Sequence, residues 1–317
     1  LRELAESLPR IFPEGSTDKS ALLQRLANEE LARAEYDEQI RAKVAAARAD
    51  KRPGMSSVQL RQQLANRLAE EGWLPTFEVL LAEGLSPAGG AFHPLIRLAC
   101  ALENGHPGEQ TAALAAWRCR PLILPAGEGA VCRDIPALLS GLSGRWEGSH
   151  WPGEWITARL RQVAADPRWP DALPRYLNGK EDVLAQLADT ALSLYWQSDN
   201  FTVLHMVTGS RAAAIVASYL PAPWQARWQT LMWQAVAAAY VTVGAPSLQT
   251  PVWPDTGKLS WQNVLARAVA SLDDHVIKLV HCCWREGLAR PLLADRYLAV
   301  AARAAGLLAP LTGPDAI

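Results

Sequence analysis

The residues of this chain best suited to chemistry lie in the stretch Asp273-Asp274-His275-Val276-Ile277-Lys278-Leu279-Val280-His281. At helical pitch, residues three apart stand roughly 60° from each other. His275, Lys278 and His281 therefore make one slanted titratable stripe, and Val276, Ile277, Leu279 and Val280 fill most of the remaining circumference. A helix apolar nearly all round is expected to be buried, where an imidazole or ammonium is costly unless a charged or hydrogen-bonding group faces it. Two readings meet that demand. Either this is a core helix whose histidine meets a backbone carbonyl and whose lysine meets a carboxylate, or it is part of a site.

Two more histidines sit in similar surroundings. His93 follows Gly89-Gly90-Ala91-Phe92 and precedes Pro94. Proline fits the first position of a helix, which puts His93 at the cap and Arg97 one turn further along the same side. His205 lies in the mostly apolar run Phe201 to Val216, one turn before Thr208 and Gly209. The missing side chain at Gly209 would let a backbone or ligand come close beside the imidazole. Neutral imidazole is the commonest transition-metal ligand, and helices can converge such side chains on one interior point. A metal would satisfy all three at once.

The carboxylate common in non-haem iron sites is harder to find, because no Glu-x-x-His pair occurs in these helices. Asp274 neighbours His275, but adjacent helical residues point about 100° apart, so it is expected to be a poor donor. Lys278 is better placed. Its ammonium would repel a cation, whereas a carbamate formed with carbon dioxide would be an anionic oxygen ligand, a state that requires burial to keep the amine partly neutral. His281, about 240° around from His275, either supports the site from behind or is an ordinary core residue. His106 reads as a surface-turn residue and His150 as part of a Gly-, Ser- and Trp-rich loop over 141–153. Gly127-Glu128-Gly129 lacks the third glycine and the strand-turn-helix setting of a dinucleotide fingerprint.

The elements that must position these groups read as helices throughout. Apolar residues recur at helical spacing, Pro and Gly punctuate the chain, and Ser56 or Ser57, Ser198 to Asn200 and Ser260 supply caps. Neither strand alternation nor a fixed repeat of 30 to 45 residues is evident. The expectation is an all-α fold: an N-terminal helical segment over 1–55, truncated or not, and one large multi-helical domain over 56–317. Half the residues are apolar, enough to bury a substantial core. Thirteen Trp against four Phe suits either helix packing or a pocket for a flat aromatic ligand.

Charge is balanced, with 31 Lys plus Arg against 32 Asp plus Glu, which gives no electrostatic case for nucleic acid or an anionic membrane. No apolar run reaches the length of a membrane span and no secretory signal is evident. Five cysteines without a CxxC pair fit a reducing cytoplasm rather than a disulfide framework.

Phe92-His93-Pro94-Leu95-Ile96-Arg97, Leu204-His205-Met206-Val207-Thr208-Gly209 and Asp274-His275-Val276-Ile277-Lys278-Leu279 resemble, in order, three signature segments of the questin oxidase-like proteins. The resemblance spans roughly residues 60 to 305. It implies an all-helical oxygenase acting on anthraquinone-type polyketides, and in one branch a non-haem iron centre with histidine ligands and a carboxylated lysine. Carried over, the ligands are His93, His205, His275 and carboxylated Lys278. The family also commonly has an N-terminal Asn-His pair. This chain has no histidine before His93, and Asn28-Glu29 is the nearest counterpart.

Three functional readings follow. In the first, Fe(II) at these four residues works with O₂ on a flat aromatic substrate, with Arg97 and Thr208 as the catalytic candidates and Arg97 stabilising a phenolate or other oxyanion. The second is an NADPH-dependent Baeyer-Villiger-type monooxygenase, which the absent dinucleotide fingerprint disfavours. The third is a non-catalytic helical small-molecule-binding protein with structural histidines. Substrate, metal and oligomeric state are not legible.

Overall fold

The computed structural model describes residues 55–129, 134–174 and 182–311, and from Ser56 onward these belong to one compact unit. The first fifty residues, with Asn28-Glu29, lie outside the described residues. The described residues form an all-α fold of thirteen α-helices and one 3₁₀ turn, Pro291–Leu293. The helices are α1 Ser57–Glu71, α2 Trp73–Ala82, α3 His93–Glu103, α4 Pro107–Cys119, α5 Ile135–Trp146, α6 Ile156–Ala165 and α7 Trp169–Ala172. They continue with α8 Val183–Ser198, α9 Phe201–Tyr219, α10 Ala222–Thr242, α11 Trp261–Val269, α12 Asp274–Ala289 and α13 Ala294–Ala304.

Local chemistry sets the starts of these helices. Ser56 and Gln59 form a reciprocal capping box at α1, while Asp182, Asn200 and Ser260 accept backbone N–H groups at the starts of α8, α9 and α11. His106, expected to be a surface-turn residue, caps α4 by accepting the Glu109 N–H. The Gly- and Ser-rich stretch is half helix: α5 runs to Trp146 and places Leu139, Leu142 and Trp146 inward. Gly141 and Gly144 face open space, so composition there reflects a solvent face rather than a loop.

α9 is the centre of the fold and packs against α3, α8, α10 and α12. Thirteen of its residues are buried, which is why its polarity shows no preferred face. Among the described residues it is the one helix long and apolar enough to cross a membrane, and 72% of that window is buried. Its apolar surface is thus spent on neighbouring helices.

α12 departs from expectation. Only one side is buried, through Leu279, Val280, Cys282, Cys283, Glu286 and Gly287, and Ile277 and His281 face outward. The buried positions recur at 0, 1, 3, 4, 7 and 8, the stripe of an ordinary amphipathic helix. Beyond the histidines, α3, α9 and α12 are joined by an ion network in which Arg211 holds Glu103 at 2.7 Å and Glu286 at 3.0 Å. Five of the Trp residues, Trp117, Trp146, Trp169, Trp228 and Trp233, are fully buried core material, whereas Trp155 is exposed.

Candidate metal centre

Three helices bring their N-terminal turns together, with His93 on α3, His205 on α9 and His275 on α12. One nitrogen of each imidazole lies within 4.8 Å of one from each of the others. Their rings meet edge to face, with centroids 4.7 Å apart for His93 and His205, 5.4 Å for His205 and His275 and 6.2 Å for His93 and His275.

The approach to α3 is unusual. Gly90, Ala91 and Phe92 all adopt left-handed backbone, with φ of 61°, 57° and 64°. Phe92, not His93, is the N-cap, so His93 is the first helical residue and Pro94 the second. Left-handed conformations at two non-glycine residues cost on the order of 1 to 3 kcal/mol each. Burial of the whole Phe92 side chain offsets about 2 kcal/mol of this. Phe92 packs where Gly209 has no side chain: a Cβ there would stand 2.7 Å from Phe92 Cδ1. The glycine thus admits a core phenylalanine that fixes the entrance of α3, not a ligand. The same turn brings the Gly90 carbonyl to 2.9 Å from His93 Nδ1.

Each imidazole is pinned at Nδ1. His93 donates to Gly90 O, His205 donates to Phe201 O at 2.8 Å, and His275 Nδ1 lies 3.1 Å from carboxylate oxygens of both Asp273 and Asp274. A neutral imidazole that donates from Nδ1 offers a lone pair at Nε2. His93 and His205 turn those atoms on each other at 3.3 Å. Two lone pairs at that distance need a cation between or beside them. A proton is disfavoured, because burial, the largest cause in each case, lowers the pKa of His93 and takes that of His205 down to about 4. Two nitrogens each about 2.1 Å from one ion stand about 3 Å apart. The donor set therefore fits a divalent transition metal.

Asp274 lies outside the group of three imidazoles and meets His275 at Nδ1. Although adjacent to His275, its carboxylate reaches His275 Nδ1 with one oxygen and the Lys278 ammonium with the other. Asp273, the N-cap of α12, accepts the His275 N–H at 2.8 Å and flanks the same ring. The carboxylates at the start of α12 therefore hold the His275 ring from its Nδ1 side. Lys278 is 41% exposed and ion-paired with Asp274, contrary to the expected burial.

The remaining assignments separate. Arg97 faces solvent and donates to Glu109 at 2.7 Å, a partner on α4. Thr208 donates its hydroxyl to Leu204 O at 3.1 Å within α9. His281 packs against Trp284 on the outer face of α12. His150 is exposed. Instead of a tryptophan, Phe201 lies against the site, its ring centroid 4.7 Å from those of both His205 and His275. It is 53% exposed, and its place one helical turn before His205 was the available signal. A cleft of about 560 Å³ lined by Trp196, Asn200, Val203 and Gln249 opens elsewhere, since Val203 and His205 point roughly 200° apart on α9. Gly127 and Gly129 press against the backbone of Leu173 and Pro174, and the Gly129 N–H donates to Leu173 O at 2.8 Å. They serve a chain crossing rather than a phosphate loop.

Residues 162–283 match the family model described as questin oxidase-like. That span contains His205, His275 and Lys278 and ends without His93. No curated protein matches the chain.

Proposed function

The match over residues 162–283 supports membership of the questin oxidase-like family, and on that premise we propose a metal-dependent oxygenase that oxidises a flat aromatic, anthraquinone-like polyketide with O₂. The family itself points to an oxidase or oxygenase. His93, His205 and His275 would hold Fe(II) through Nε2. The observation that carries this reading is the 3.3 Å approach of two lone-pair-bearing nitrogens whose protonation burial opposes. Bound iron would supply the redox chemistry that O₂, a triplet molecule, needs with a closed-shell organic substrate.

The protein's own residues do the rest. The Gly90 and Phe201 carbonyls and the Asp273 and Asp274 carboxylates fix the three rings and their tautomers. Phe201 screens His205 and His275 from water and gives a flat substrate an aromatic surface to stack on. The balanced charge of the chain and the free cysteines among the described residues suit a cytoplasmic enzyme. Anaerobic reconstitution with Fe(II), followed by metal analysis, tests the reading. One tightly held ion per chain is expected, and none after reconstitution overturns it.

A second reading concerns the anionic donor. Carboxylation of Lys278 requires an amine released from Asp274, whereas the ion pair leaves Asp274 as the acid already beside His275. The pairing favours Asp274 as the source of negative charge at the centre, with Lys278 holding its second oxygen.

A further inference from the structure

The cleft on the far side of α9 from the histidines has walls that are tied in place. Its volume is about 560 Å³, inside the range of about 300 to 1,000 Å³ in which small-molecule sites fall. The end of α8 and the start of α9 line it through Leu194, Gln197 and Val203, and the chain between α10 and α11 lines it through Pro246, Thr250 and Val252. Residues 243–260 hold no helix or strand, and a connection longer than about 12 to 15 residues without secondary structure is uncommon and usually functional. This one is fixed by side chains. Trp196 Nε1 donates to Val252 O at 2.9 Å, Gln197 Nε2 to Gln249 O at 3.3 Å, Tyr240 to Pro246 O, and the Ser247 N–H to Glu147 at 3.2 Å. The segment cannot close over the cleft without breaking these bonds, so the space is preformed.

The lining sets the chemistry of an occupant. Among the described residues no Asp, Glu, Lys, Arg or His lines the cleft, so a charged ligand would give up water without gaining a counter-ion. Leu194, Val203, Val243, Pro246, Val252 and Leu311 supply aliphatic surface. The one aromatic ring, Trp196, is already stacked on Trp253 at 5.3 Å and lies under the Arg303 guanidinium at 3.8 Å, which leaves a flat aromatic ligand little to stack on. Gln197 spends both amide hydrogens, on Ser193 O and Gln249 O. What it can offer a ligand is its acceptor, Oε1.

We infer that the cleft is a second binding site, for an uncharged and mainly aliphatic molecule whose hydroxyl donates to Gln197 Oε1. Val203 and His205 point roughly 200° apart on α9, so this occupant is not the substrate of the histidines. The site stands whether or not they hold a metal.

The test compares decan-1-ol with decanoate, decylammonium and decyl methyl ether by calorimetry at pH 7. The wild type is expected to bind one decan-1-ol per chain, at least tenfold more tightly than either ion, and more tightly than the ether, which cannot donate a hydrogen bond. Thr250→Trp, which fills the cleft from an exposed position, should weaken the alcohol at least tenfold. Phe201→Ala, beside the histidines, should leave it unchanged. Should Thr250→Trp fail to fold, Leu311→Trp fills the same space from another segment and decides. No binding of the alcohol, equal affinity for the ether or an ion, binding that survives the filling variant, or binding lost in Phe201→Ala overturns the inference.

Discussion

His93 and His205, 112 residues apart in the chain, face each other through Nε2 atoms 3.3 Å apart while each gives its Nδ1 proton to a carbonyl. The arrangement stores an unmet demand for positive charge. Metal should meet it, so His205→Gln is expected to weaken Co(II) or Fe(II) binding at least 100-fold and to leave the helical circular-dichroism spectrum unchanged. Retained stoichiometric binding by that variant would remove His205 from the centre.

Asp274→Asn separates the two possible sources of negative charge. If Asp274 orients His275 or contributes an oxygen, the variant loses about 10- to 100-fold in metal affinity, the range for such supporting groups. If a carbamate on Lys278 is the donor, freeing the amine from its partner leaves affinity intact or improves it. Calorimetric titration in the presence and absence of bicarbonate distinguishes these outcomes, and the ion pair favours the first.

Protons and metal compete for the same lone pairs, and the sign of the pH dependence follows. The His205 pKa falls from 6.5 in the unfolded chain to about 4 in the folded protein, so between those values the unfolded state binds more protons. Stability of the metal-free protein is therefore complete above pH 6.5 and is lost as pH falls toward 4, by about 3 kcal/mol from this residue. Urea titrations at pH 7 and pH 4.5 should show the loss, and His205→Gln should reduce it.

Much of this architecture is legible in the sequence because it follows from local rules. Apolar spacing gives the all-α fold, and Asn200 and Ser260 mark helix starts through the N–H groups they accept. His93, His205 and His275 stand out because imidazoles are rare on apolar segments. What local rules miss is set by tertiary packing and by caps. The outward face of α12 is hidden from periodicity because Val276 and Ile277 look as apolar as Leu279, yet Ile277 is 40% exposed. Asp273 and Asp274 escape a helical-wheel argument because the former is not yet on the helix and the latter is its first residue. Arg97 matches its segment but is taken by Glu109, twelve residues away on another helix.

Gly209 tests how the scaffold holds the site. Gly209→Ala puts a methyl 2.7 Å from Phe92 Cδ1 and 2.9 Å from Cγ, closer than real contacts allow. Phe92 cannot swing away freely, because its left-handed backbone and buried ring fix the turn whose Gly90 carbonyl anchors His93. Overpacking of this kind costs about 1 to 3 kcal/mol. The expected outcome is a lowered melting temperature together with weaker Co(II) binding, since the strain reaches the metal site through a single intervening residue. Gly144→Ala, at a position facing open space, should change neither. A Gly209→Ala protein that loses stability but binds metal as before would show that His93 is positioned independently of Phe92.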